Sequence, residues 1–305
     1  MIPERRATVW LLSMCAIWGS SFWTMKIGQE ALVETVGAAA AAPGFLFLRF
    51  LVAAALFPLV FPRAVLRLSR SEAAAGALLS VPFCIGFYLQ VRGLQDTTAT
   101  ISAFLTNLTV ILTPLLGRFF FRESLRWANL AGAAVALGGV YVLTDPTGGA
   151  FGRGEILTAV SAVAWAIQIQ LTNVVTRKHR PEAITFVMFV CAVLFSGAML
   201  AGLKVDWAAL GRASLAPRVA WTVLFTATAC SIAAITIMNR FQRDLPPTRA
   251  AVIYTLEPVF AAGFAALGGE PMTLRKILGG GIIVGGNLVC EAFRRPPVKT
   301  ESSPG

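Results

Sequence analysis

The sequence has few charged residues and few of the side chains that catalyse reactions. Charged residues make up 13% of the chain, about half the share of an ordinary soluble domain. There is a single histidine, His179, and neither a phosphate-binding GxxxxGK[ST] loop nor an HExxH zinc motif occurs. The sequence therefore favours neither a nucleotide hydrolase nor a zinc enzyme, and it predicts no cofactor and no metal.

Apolar surface is abundant instead, at 56% hydrophobic residues and a mean hydropathy of +0.72. Runs of roughly 20 apolar residues are long enough to cross a bilayer. They predict an all-α integral membrane protein with ten transmembrane helices, with the one long connection at residues 28–43. The predicted spans are 7–27, 44–62, 72–93, 97–121, 126–145, 154–174, 182–203, 218–240, 246–268 and 273–293.

The sequence also repeats at a constant offset of 147 residues. Trp18 aligns with Trp165, Gly132 with Gly279, and Glu123 with Glu270. A long repeat in one register indicates two copies of one structural unit. We predict copies of five spans each at 1–147 and 148–295, followed by a disordered cytoplasmic tail at 296–305. Because five is odd, the two copies are expected to be inverted in the membrane.

The basic residues indicate the orientation of the chain. With the N-terminus inside, 17 Lys and Arg residues fall at inner ends and loops and 8 at outer ones, as expected from the excess of positive charge on the cytoplasmic side. We expect a multi-pass protein of the cell (inner) membrane with both termini cytoplasmic. The net charge of +11 then orients helices in the lipid bilayer, and no nucleic-acid partner is expected.

The fifth span of each copy is rich in glycine. These spans read NLAGAAVALGGVYVL from Asn129 and ILGGGIIVGGNLVC from Ile277. Small residues let helix backbones approach closely in lipid. Spans 5 and 10 are therefore expected to be packing helices, either within the bundle or across a homodimer.

Four segments resemble a known family. They are AIWGSSF from Ala16, FLRFLVAA from Phe47, LTPLLGRFFFRES from Leu112 and YTLEPVFAAGFAALGGEPMT from Tyr254. They are similar to the drug/metabolite transporter superfamily, and more narrowly to its EamA-type members, bacterial carriers with two five-helix repeats. The resemblance implies export or exchange of small metabolites, commonly amino acids or related compounds. The copies differ at one point, since nothing in the first matches Glu257.

Glu257 is the sharpest functional candidate, since it lies near the centre of span 9. An ionised carboxylate at that depth costs roughly 2.5 to 3.5 kcal/mol on insertion scales. It could be a neutral acid hydrogen-bonded to a neighbouring helix near Pro258. It could also bind the amine of a zwitterionic substrate or take up a coupling proton.

Other polar and aromatic side chains fall near mid-depth on helix faces that the repeat relates. They could line a cavity for a small-molecule substrate, although packing alone would also explain each tryptophan. This candidate substrate-binding group is Trp18, Ser21, Tyr88, Asn107, Trp165, Gln168, Tyr254 and Glu257.

Three charged residues are interpreted as helix-end or gating contacts. Arg49 matches an arginine in span 2 of the family, and it could reach the outer surface or pair inside the bundle. Glu123 and Glu270 end spans 4 and 9 and fit the Gly-Glu element that the family repeats, or its equivalent.

Inverted repeats around a site at mid-membrane are typical of secondary transporters. The sequence thus predicts alternating access around a central cavity, by an exporter or exchanger of small metabolites such as amino acids or related amphipathic compounds. A nucleotide-sugar carrier of the same superfamily is an alternative. An intramembrane enzyme is a third, although no nucleophile with a base or close acid pair supports it.

Overall fold

The computed structural model describes residues 2–121, 127–144, 152–176, 178–241 and 253–292, and this part of the chain is helical with no strand. Glu123 and the predicted tail at 296–305 lie outside the described residues. The helices are α1 (Ile2–Val36), α2 (Ala38–Val60), α3 (Pro62–Leu66), α4 (Arg70–Gln95), α5 (Ala99–Thr106), α6 (Thr109–Phe121), α7 (Trp127–Thr144), α8 (Arg153–Val175), α9 (Pro181–Gly202), α10 (Trp207–Ser214), α11 (Pro217–Phe225), a π-helix (Thr226–Ala233), α12 (Ala234–Phe241), α13 (Glu257–Leu267) and α14 (Leu274–Ala292).

Six stretches of the described helices are long and apolar enough to cross a membrane. They are Ala38–Val60, Arg70–Gln95, Ala99–Arg118, Arg153–Thr172, Pro181–Gly202 and Pro217–Met238. Leu130–Leu143 and Glu257–Leu267 are shorter apolar helices. The membrane-protein class of the prediction agrees with these lengths, while the count of ten spans stays a prediction.

The predicted connection at residues 28–43 is wrong. Helix α1 continues to Val36 and α2 begins at Ala38, so Gly37 alone separates them. Gly37 adopts φ 82°, in the left-handed region that glycine enters without steric cost. The alanines of this segment have the highest helix propensity of all residues, which explains why the segment is helical.

Helices related by the 147-residue offset run in opposite directions. In the pair α2 and α9, Phe57 packs on Phe189 near the start of α9, and Phe47 lies beside Gly197 near its end. Helices α7 and α14, which begin 147 residues apart at Trp127 and Leu274, are likewise antiparallel. Two inverted copies would produce this pairing.

Glycine permits the contact between α7 and α14. A Cβ on Gly279 would lie 2.6 Å from the backbone nitrogen of Leu143, and one on Gly286 would lie 2.7 Å from the carbonyl oxygen of Gly132. These glycine faces thus pack within one chain. A homodimer through the same helices would use their exposed faces, which carry Leu137 and Ile282 among others, and it stays a prediction.

Three transmembrane segments are less regular than predicted. Span 4 is broken at Asn107 and Leu108, between α5 and α6. The chain turns again at Thr255 and Leu256, just before α13. Span 8 changes to a π-helix at Thr226–Ala233, a form that is frequent at functional sites.

Candidate functional site

Helix α1 meets the start of α13 at its middle. Gly19 lies so close that a Cβ there would be 2.7 Å from Phe260 Cβ and 2.9 Å from the carbonyl oxygen of Glu257. One turn earlier, the thiol of Cys15 lies 3.4 Å from the carbonyl oxygen of Ile253. These two contacts place the LEPVF segment, which begins at Leu256, against the middle of α1.

Glu257 is the first residue of α13, and its side chain is half-buried. The N-terminus of a helix favours a negative charge. Among the described residues no hydrogen-bond donor contacts its carboxylate. Within the described part of the chain, the hydrogen bond from a neighbouring helix that one interpretation expected is therefore not present.

Trp18 and the π-helix border the same region. The indole N–H of Trp18 donates to the carbonyl oxygen of Cys230 at 2.9 Å. The thiol of Cys230 lies 3.5 Å from the carbonyl oxygen of Ile17, and Gly19 packs on the backbone of Glu257, so this turn of α1 connects the π-helix with the start of α13. Ser21 is buried and its hydroxyl donates to the carbonyl oxygen of Trp18, which satisfies it within α1.

Arg49 lies on the other side of the π-helix. Its side chain is 3% exposed, and its Nε donates to Ser231 Oγ at 3.1 Å. Its guanidinium lies over the ring of Phe87, 4.9 Å from the centroid. Arg49 is therefore inside the bundle in the middle of α2, and it does not extend to the surface or lie at a helix end.

Trp165 continues the row of contacts beyond Arg49. Its indole N–H donates to Gln90 Oε1 at 3.2 Å, and its ring lies edge-on to Phe87 at 4.7 Å. Gln168, one turn further along α8, is buried and its Oε1 has no partner in the described residues. Arg49 thus lies between the two repeat-related tryptophans.

We call Trp18, Arg49, Cys230, Ser231 and Glu257 the central site. Tyr254 is half-buried and packs beside Cys15 and Ile253, adjacent to this site. Sequence reasoning missed Cys230 and Ser231, because a π-helix has no local sequence signature strong enough to predict it.

Asn107 and Tyr88 lie elsewhere than expected. Asn107 is buried at the break between α5 and α6 and accepts a hydrogen bond from Asn287 of α14. Tyr88 lines a cavity of about 540 Å³ where α4 ends and α8 begins, together with Arg92 and Arg153. Following the predicted topology, we call this the outer end of the bundle.

An acidic side chain joins two helices at the outer end. Glu270 accepts hydrogen bonds from the backbone N–H groups of Ala99 and Thr100 at 2.9 and 3.3 Å, and from Lys276 Nζ at 2.9 Å. We call these four residues the outer cluster. Burial by itself would raise the pKa of Glu270. The hydrogen bonds and the charge of Lys276 have the larger, opposite effect, so the pKa of Glu270 lies below its usual value.

The opposite, inner end is joined by an ion pair that the sequence analysis missed. Arg180, just before α9, contacts Glu72 of α4 at 2.7 Å through Nε and at 2.9 Å through Nη2. Its Nη1 and Nη2 also donate to the carbonyl oxygens of Arg63 and Arg67. We call these four residues the inner cluster; the capping box of Ser69 and Glu72 was its one visible sequence signal.

Comparisons with known proteins agree on one family. A model of the "EamA-like transporter family" matches residues 5–145 and again residues 152–290. An "Uncharacterized transporter" of Archaeoglobus fulgidus is 25% identical over 263 residues, covering 85% of this chain and 77% of that protein. A "Probable amino-acid metabolite efflux pump" of Escherichia coli K12 is 26% identical over 299 residues, covering 93% of this chain and 94% of the pump.

A solved structure described as "Crystal structure of protein" has a similar fold. It superposes with a TM-score of 0.63 at 18% sequence identity, covering 98% of this chain and 99% of the other. At that identity the similarity concerns the fold alone.

Proposed function

Because this chain belongs to the EamA-like transporter family, we propose that it is a secondary transporter that exports or exchanges amino acids or related amphipathic metabolites. Substrate would bind at the central site and reach each side of the membrane in turn. The two halves of the bundle would move against each other around the bound substrate, as in other transporters built from inverted repeats.

The observation that carries this proposal is the carboxylate of Glu257, which lies at a helix break and has no hydrogen-bond donor among the described residues. Ionisable groups at membrane depth are costly and usually mark a substrate or proton pathway. Glu257 lies where α1 of the first half contacts α13 of the second, and the helix is interrupted just before it. Broken helices at an interface between repeats are where transporters bind their substrates.

The membrane topology that we propose has ten spans in two inverted copies, 1–147 and 148–295, with both termini in the cytoplasm of the cell. The antiparallel pairs α2 with α9 and α7 with α14 support it, as does the excess of basic residues at the predicted inner ends. Cysteine labelling that reached the two termini from opposite sides of the membrane would contradict it.

The name of the Escherichia coli relative suggests amino acids as the substrate class. A carboxylate at mid-membrane would then bind the substrate ammonium group or exchange a coupling proton. The two roles predict different behaviour of a Glu257→Gln variant. Loss of ammonium binding raises the KM for substrate, whereas loss of proton exchange removes the dependence of uptake on a pH gradient.

We expect Glu257→Gln to lower transport by roughly tenfold, since a hydrogen bond to a charged group contributes about 1.5 to 3 kcal/mol. The purified protein would be reconstituted in liposomes and assayed for uptake of labelled L-phenylalanine, L-leucine, L-methionine and L-threonine. Glu30→Gln, which changes an exposed acid, is the matched control.

Wild-type protein that moves none of the four amino acids would refute the proposed substrate class. Undiminished uptake by Glu257→Gln would remove this acid from the site. Competition by a nucleotide sugar, with none by amino acids, would point to the alternative carrier of the same superfamily.

A further inference from the structure

Arg49 is a buried cation that no acidic side chain in the described part of the chain neutralises. Its Nε donates to the Ser231 hydroxyl and its Nη1 contacts Met25 Sδ at 3.3 Å, and neither partner carries a charge. Across the described part of the chain no carboxylate lies within 4.0 Å of its guanidinium. Within the described residues, the positive charge of Arg49 therefore has no anion to balance it.

Two other buried charged residues, Lys276 and Glu72, are each paired with an opposite charge. Lys276 contacts Glu270 at 2.9 Å, and Glu72 contacts Arg180 at 2.7 Å. Burying a charge without a counterion is costly, and removing one partner of a buried pair is strongly destabilising. The rings of Phe50 and Phe87, with centroids 5.4 and 4.9 Å away, attract the cation but do not neutralise it.

We propose that Arg49 binds the carboxylate of the transported substrate, an inference that rests on the proposed function and extends it. Its Nη2 has no partner among the described residues. The guanidinium presents its N–H donors in a planar fork that matches a carboxylate. A carboxylate approaching Nη1 and Nη2 would accept two parallel hydrogen bonds while Nε stays bonded to Ser231.

The surroundings of Arg49 define the rest of the substrate. Arg49 donates to Ser231, while the carbonyl oxygen of the neighbouring Cys230 accepts from Trp18. Gly19, the residue next to Trp18, packs on the backbone of Glu257. Arg49 and Glu257 therefore lie near the same segment of the π-helix. A substrate with a carboxylate and an ammonium group would direct them to Arg49 and Glu257. Phe87 and Trp165, which are in contact beside Arg49, offer an apolar surface to its side chain. The substrate class is thus an amino acid zwitterion with an apolar side chain.

The test compares amino acids with their amides, which lack the carboxylate but keep the side chain and the ammonium group. Uptake of whichever of the four labelled amino acids is transported best would be competed with the unlabelled amino acid and with its amide. We expect the wild type to prefer the acid by about tenfold or more, because two charge-assisted hydrogen bonds are lost with the amide. In Arg49→Gln that ratio should fall to about one.

Two further variants sharpen the result. Arg49→Lys keeps the charge without the fork, so its ratio should lie between those of the wild type and Arg49→Gln. Arg218→Gln removes an exposed arginine and should keep the wild-type ratio. Since each ratio compares two competitors on the same protein, differences in the amount of folded protein cancel.

Several outcomes would overturn the inference. Equal competition by acid and amide in the wild type would do so, as would an unchanged preference in Arg49→Gln. If Arg49→Gln does not fold, Ser231→Ala decides, because it frees Nε of the guanidinium and should lower the ratio a few-fold; an unchanged ratio there and in Arg49→Lys would exclude the site. If the wild type transports none of the panel, the proposed function fails and this inference with it.

Discussion

Gly279→Ala is expected to destabilise the protein by about 3 kcal/mol or more, at or beyond the upper end of what overpacking usually costs. The added methyl group would lie 2.6 Å from the backbone nitrogen of Leu143 and 2.7 Å from its Cα. A side chain could rotate away from such a contact, but a helix backbone cannot. Helices α7 and α14 would have to separate, which thermal unfolding of the detergent-solubilised protein and its yield of monodisperse material would detect.

Gly281→Ala is the matched control in the same helix. A Cβ at Gly281 would meet nothing within 4 Å, and alanine is favoured over glycine in a helix by roughly 0.5 to 1 kcal/mol. The control is therefore expected to be as stable as the wild type or slightly more stable. Equal losses in the two variants would show that the contact with Leu143 is not what makes Gly279→Ala destabilising.

Glu270→Gln is expected to destabilise the protein by about 3 to 5 kcal/mol, the usual effect of breaking a buried ion pair on one side. The side chains of Glu270 and Lys276 are 11% and 9% exposed, so Lys276 would keep a buried charge without its anion. The N–H groups of Ala99 and Thr100 would also lose a charged acceptor. Thermal or denaturant unfolding would measure the difference.

An exposed pair provides the comparison for Glu270. Arg212 and Asp206 are 3.8 Å apart, with side chains 72% and 64% exposed, and Arg212→Gln should change stability by less than about 1 kcal/mol.

Because the pKa of Glu270 is lowered in the folded state, the stability that Glu270 contributes is present above the pKa of an unfolded glutamate and is lost as pH falls through the lowered value. The difference in unfolding free energy between wild type and Glu270→Gln should therefore disappear at low pH. A difference that does not depend on pH would contradict the role of the ionised carboxylate.

Much of the helical framework could be predicted from hydropathy alone. Span 3 at 72–93 became α4 at Arg70–Gln95, and span 7 at 182–203 became α9 at Pro181–Gly202. Apolar length determines such segments because every backbone polar group in lipid must be bonded within the segment. The LEPVF segment also led to the family that the comparisons found.

Interruptions of the helices could not be predicted in this way. The break at Asn107 and the π-helix at Thr226–Ala233 lie inside runs that are apolar on average, and hydropathy does not distinguish one helical hydrogen-bond pattern from another. Both are stabilised by contacts distant in sequence, Asn287 with Asn107 and Arg49 with Ser231. Such contacts depend on tertiary packing.

The candidate site could be predicted only in part, because some of its residues stand out in the sequence while the roles of others depend on tertiary packing. Glu257 was identified because a single acid within an apolar run is conspicuous. Arg49 was interpreted as a helix-end residue because the predicted span 2 began at residue 44, whereas α2 begins at Ala38 and places Arg49 in its middle. Tyr88 was assigned to the central group by its polarity, although it lines the cavity at the outer end.

The contact of Glu270 with α5 has no counterpart in the sequence at the positions that the predicted repeat relates to it. The 147-residue offset relates Ala99 and Thr100, whose N–H groups Glu270 binds, to Pro246 and Pro247. A proline nitrogen carries no hydrogen, so Glu123 cannot bind those two positions in the same way. The two predicted copies therefore differ in chemistry at this point, and acid should weaken the attachment of α5 to Glu270 without acting on an equivalent carboxylate cap at Pro246 and Pro247.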